Sequence, residues 1–163
     1  MQNLLGMLLS FGQFFMNLLR HRFDYDKAAD TAATRLAERP VPELVATLRA
    51  NADKTAWLPM FPEDLTLTDA LVHTQDVRRG VGDDGVPADD LLRDGLTFLA
   101  TNKMAGNLGG PKLDGLAFTA TDLDWSHGSG AAVEGPAEAL LMAMAGRDVL
   151  DELSGDGVER LRR

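Results

Sequence analysis

Near residue 113 the chain changes its period. Upstream, apolar residues recur every three or four positions, as in Leu44, Val45 and Leu48 or Leu67, Leu71 and Val72, the spacing of one face of a helix. Downstream, "LAFTATD" (residues 116–122) alternates apolar with polar residues and is rich in β-formers, the spacing of a half-buried strand. Helical segments followed by a short run of strands predict an α+β chain: an antiparallel helical bundle over residues 1–104, then a small α/β region over 113–163 packed on it.

Turn residues divide the two regions further. A first helix is predicted over about residues 3–21, and a second begins at Asp24 or Asp26, either of which can cap it. "RPVP" ends the second, and Pro42 opens a third, "PELVATLRANADKT". "AWLPMFPEDLT" holds two prolines and reads as an ordered loop. The fourth helix covers 66–79, with Thr66 or Thr68 as cap and Gly80 or Gly82 as stop. "GDDG" is a turn, and "PADDLLRDGLTFLATNKM" is a fifth helix with acids at its front and Lys103 at its end, as the helix dipole favours. After the strand "LAFTATD", "LDWSHGSG" is a second short strand or an irregular turn and "AAVEG" a third strand. "GPAEALLMAMAGR" returns to helix, and two short helical turns follow.

Composition removes several classes of function. The formal charge is −9, with the acids scattered along the chain, which argues against nucleic acid or an anionic membrane as partner. There is no cysteine, hence no disulfide, no zinc–thiolate centre and no thiol nucleophile of the protein's own. The stretch "LLGMLLSFGQFFMNLL" (4–19) is apolar nearly all round, yet it is shorter than the roughly 20 residues that span a bilayer. Its flanks, "MQN" and "RHRFDYD", do not suit a secretory signal. The reading is a cytoplasmic protein whose first helix wants neighbours on several sides. Left uncovered, Leu4, Leu8, Phe11, Phe15 and Leu18 would associate copies of the chain into a homo-oligomer.

Candidate chemistry concentrates in "TDALVHTQDVRRGVG" (68–82). Asp69 and His73, at i and i+4, lie on one helix face within reach of one divalent ion. Asp76 could take the second ring N–H of His73. The same spacing also suits a solvated helix face carrying a half-buried histidine. Arg78 or Arg79 could anchor a substrate carboxylate, or simply complement the helix C-terminus. "DWSHGSG" joins Trp125, Ser126 and His127, but no nucleophile-elbow pattern surrounds them, and a structural turn accounts for the glycines.

Three blocks together resemble the mycothiol-dependent maleylpyruvate isomerase family, within the DinB-like metal-binding helical bundles. They are "ALVHTQDVRRGVG", "LAFTATDLDWSHGSGAAVEGPAEALLMAMAGR" and "LDELSGDGVERL". The resemblance runs from about residue 20 onward. It implies a zinc ion held by two histidines and one acid, with an acid and a histidine at i, i+4 on a later helix. Asp69 and His73 match that pair, with aspartate where glutamate is usual. Asp76, Arg78, Arg79, Trp125 and His127 stand as residues that orient the ligands or anchor substrate. The family's other histidine follows a Gly-Trp motif that this chain lacks, and neither His21 nor His127 matches it. The bundle is therefore expected to lack its first helix and that ligand.

The implied chemistry is activation of mycothiol as a thiol cosubstrate. Its thiolate would add to a small electrophilic substrate, permit rotation about the former double bond, and leave. The competing expectation is a non-catalytic relative that binds a ligand or partner as a scaffold.

Overall fold

The computed structural model describes residues 16, 20, 25–51, 63–102 and 110–162. The chain forms two compact units, Met1–Pro62 and Glu63–Arg163. In the first, α1 spans Tyr25–Ala37 and α2 spans Val41–Asn51. Pro40 separates them, and the acid Glu43 stands in the first turn of α2, where the exposed N–H groups favour negative charge. Ala32 and Leu36, one turn apart on α1, are buried. The apolar segment 4–19, apart from Met16, and His21 and Lys103 lie outside the described residues.

The second unit holds α3 (Glu63–Val81), α4 (Asp89–Thr101), β1 (Leu116–Ala120), β2 (Ser126–Gly128), β3 (Ala131–Gly135) and α5 (Ala137–Met144). Two 3-10 turns follow at Leu150–Glu152 and Val158–Leu161. The core is centred on α5, every residue of which is buried. It packs against α3, α4, β1 and β3, and Leu96 of α4 is fully buried along with Leu140 and Leu141 of α5. Each such leucine contributes about 1.5–3 kcal/mol by leaving water. Gly95 costs α4 some helix propensity, but a Cβ there would lie 3.0 Å from Leu141 and 3.3 Å from Leu71. Glycine lets α4 approach both neighbours.

The sheet is mixed, in the order β2-β1-β3. β1 runs antiparallel to β2, with Phe118 opposite His127, and parallel to β3, with Phe118 opposite Val133. The link from β2 to β3 needs Gly130 at φ 126°, where a Cβ would stand 2.1 Å from the Gly115 carbonyl oxygen. Beyond β3, Glu134 and Ser154 exchange two backbone hydrogen bonds of 2.8 Å, and the Gly157 N–H donates to the Ala132 carbonyl. The segment after the first 3-10 turn thus covers the outer edge of β3.

The mixed α+β class follows the change of period, and "LDWSHGSG" proves to be both of its alternatives: bends over 121–124, then strand β2. The start of the helix carrying Asp69 and His73 differs from the sequence reading. α3 begins at Glu63, inside the stretch read as loop, because the acids after Pro62 start a helix. Thr66 and Thr68 therefore lie within α3 and do not cap it, and the buried Thr68 hydroxyl donates back to the Asp64 carbonyl at 2.7 Å. The two compact units divide at residue 62, and within the second α3 and α4 pack against α5. Among the described residues no helix is long and apolar enough to cross a membrane.

Candidate functional site

α3 carries the chemistry-bearing residues, because its 19 residues present two polar faces beside the buried stripe of Leu65, Leu71 and Val72. On one face Asp69, His73 and Asp76 follow at i, i+4 and i+7. His73 lies between the two carboxylates, with Nε2 3.4 Å from Asp69 Oδ1 and Nδ1 3.1 Å from Asp76 Oδ2. All three side chains are half-buried.

Asp76 is itself held from outside the helix. Arg147, just past α5, donates from Nε to Asp76 Oδ1 at 3.1 Å and from Nη2 to Oδ2 at 2.7 Å. A third donation, from Nη1 to the Ala145 carbonyl at 2.8 Å, fixes the guanidinium. This two-point fork sets the plane of the carboxylate, and the carboxylate in turn sets the ring of His73. Burial pushes the Asp76 carboxyl up, but the Arg147 hydrogen bonds and charge, with His73, hold it below the usual range. At Asp69 burial acts in the same upward direction. The hydrogen bond with His73 leads the opposing influences, and the pKa falls to about 2.

On the other face Gln75 and Arg79 meet Glu138 of α5. Gln75 is buried and donates from Nε2 to Glu138 Oε1 and to the Gly85 carbonyl, both at 3.1 Å. Arg79 donates from Nε to Glu138 Oε1 at 2.9 Å, from Nη2 to the other Glu138 oxygen, and from Nη2 to Glu152 Oε2 at 3.0 Å. The two carboxylates keep Arg79 protonated at any accessible pH. A cavity of about 430 Å³ opens beside this cluster, lined by Asp83, Asp84 and Asp122 as well as Glu138, Glu152 and Arg79. Its walls are dominated by negative charge, and Arg79 already serves two carboxylates.

Of the sequence-predicted residues, the structure brings Asp69, His73 and Asp76 together. Arg78 turns to the following loop, with Nη1 3.4 Å from Gln75 Oε1 and Nε 3.7 Å from Asp83 Oδ2. Trp125, just before β2, and His127 on β2 stack as a separate pair. The sequence reading missed Arg147 and Glu138. Glu138 had a signal, being the one charged residue within "AEALLMAM". Arg147 had none, because its partner lies 71 residues away. Compared with protein families, characterised proteins and solved structures, the chain matches none.

Proposed function

We propose that this chain is a metal-binding, thiol-dependent isomerase or transferase acting on a small electrophilic substrate, with mycothiol as cosubstrate. Asp69 and His73 would be two protein ligands of a divalent ion, zinc by the nature of its donors. The fold reading that accompanies this function is a DinB-like bundle, to which α3 and α4 would belong.

One observation carries the reading: an imidazole nitrogen and a carboxylate oxygen meet on one helix face. His73 Nδ1 lies 3.1 Å from Asp76 Oδ2, and its Nε2 lies 3.4 Å from Asp69 Oδ1. Zinc bonded to imidazole nitrogen and carboxylate oxygen at tetrahedral angle sets those atoms roughly 3.3–3.5 Å apart, so the donor pair fits a shared ion. When bound there, the ion would lower the pKa of a thiol enough to give thiolate at neutral pH. The chain's own residues orient the site. Asp76 fixes the ring and its tautomer, Arg147 fixes Asp76, and Asp69 supplies anionic charge far into acid. A carboxylate behind a ligating histidine is the usual supporting partner of such sites.

A second reading, a non-catalytic scaffold for a ligand or partner, is favoured by the donor count. Among the described residues no group of three or more His, Asp or Glu side chains could hold a metal, and two protein ligands rarely hold zinc tightly. Calorimetry with zinc tests the site. The expected result is one ion per chain with modest affinity, lost in His73→Ala and retained in His127→Ala. If zinc does not bind, or if His127→Ala abolishes binding, the assignment fails. Cobalt in place of zinc then tests the cosubstrate, since added mycothiol should produce a thiolate-to-metal absorption band. A metal-loaded chain without that band would leave the scaffold reading.

A further inference from the structure

β2 is the outer strand of the sheet, and its side chains are exposed throughout. Residues directly opposite on paired strands share a face, so His127 projects on the same side as its partner Phe118. That side is the core face, since Phe118 is buried against it. α5 covers this face over β1 and β3, whereas α4 is the helix that reaches β2. The core side of β2 is therefore left partly open, and His127 stacks there with Trp125, which precedes the strand.

Trp125 and His127 lie nearly parallel, 22° between planes, with ring centroids 6.4 Å apart. The indole is anchored, its Nε1–H donating to the Thr97 hydroxyl of α4 at 3.1 Å. The His127 ring is exposed and has no hydrogen-bond partner among the described residues. Where His127 is exposed, Trp125 is half-buried. The surroundings are acidic: Asp94 and Asp90 precede Thr97 by one and two turns on the exposed stripe of α4, and Asp124 adjoins Trp125, all three exposed. Arg93 is the one cation of α4.

We propose that Trp125 and His127 form a stacking shelf for a flat organic cation, an amidinium or guanidinium group carried on a small molecule, at a site separate from Asp69 and His73. Indole is the strongest aromatic partner for a cation, and a planar cation can lie on a ring face while the nearby carboxylates attract its charge. An anion would meet Asp90, Asp94 and Asp124, and a neutral ring would gain stacking alone.

The test is NMR on the full chain, following the indole N–H signal that disappears in Trp125→Phe. Benzamidinium should move it saturably at millimolar concentration, benzyl alcohol should bind several-fold more weakly, and benzoate should not saturate. His127→Ala, an exposed substitution that leaves the core untouched, should weaken benzamidinium by about threefold or more. The pair Asp94→Asn and Asp124→Asn should weaken benzamidinium while leaving benzyl alcohol unchanged. The proposal is overturned if benzamidinium gives no saturable shift, or if benzoate binds as well. It is equally overturned if the signal follows protein concentration instead of ligand, since the shelf would then be covered by a second copy of the chain.

Discussion

Asp69 stays ionised further into acid than a free carboxylate, with its pKa lowered from 3.8 to about 2. A carboxyl depressed in the folded state stabilises the protein fully above its unfolded value, and that contribution disappears as pH falls through the folded value. The chain should therefore lose stability progressively between about pH 4 and pH 2, and Asp69→Asn should flatten this part of the curve. Urea melts at a series of pH values would check it, and an unchanged slope in the variant would contradict the assignment. Glu138 gives a second residue-scale prediction. Its side chain is 8% exposed and receives donors from both Gln75 and Arg79. Glu138→Ala leaves the buried Gln75 amide short of an acceptor, while Arg79 keeps Glu152, so the loss should be about 1–3 kcal/mol. Denaturant midpoints would measure it. At this scale the sequence showed which residue types recur at helical spacing, and Asp69, His73 and Asp76 were legible for that reason. Arg147 was not, because its meeting with Asp76 depends on α5 and α3 packing side by side.

Among the elements, α4 and the β2–β3 link make the sharpest demands on sequence. Leu96 is wholly buried on α4, which packs against α3 and α5, so Leu96→Ala should cost about 2–5 kcal/mol, read as a drop in melting temperature with the fold retained. Gly130→Ala should be worse than its small size suggests. Its φ of 126° disfavours any side chain, and the new methyl would collide with the backbone of Gly115. Backbone strain of this kind costs on the order of 1–3 kcal/mol before the collision is counted. Loss of the β1–β2 cross-strand contacts in NMR would accompany it. The strand signal in "LAFTATD" was strong because Leu116, Phe118 and Ala120 are buried while Thr119 is exposed. The start of α3 was hidden by prolines 59 and 62, whose local signal for a loop outweighed the helix-favouring acids after them.

The whole chain is two compact units, and the second, 63–163, holds its own helices, sheet and core. A fragment of that size can bury enough apolar surface to fold alone. Residues 63–163 expressed separately should unfold in one cooperative step by circular dichroism, and a non-cooperative melt would show that the first unit is required. The change of period near residue 113 made the class legible. Periodicity reports which face is buried, and it does not report which neighbour buries it. The covered edge of β3 has a further consequence in time. During synthesis β1, β2 and β3 emerge before Ser154 and Gly157, which supply the backbone partners for Glu134 and Ala132. Until those last residues leave the ribosome, the nascent sheet offers an unpaired strand to any neighbouring chain. A chain released before Ser154 should therefore self-associate through β3 more than one extended past Gly157, so the turns that follow guard that edge against strand-to-strand pairing on the polysome.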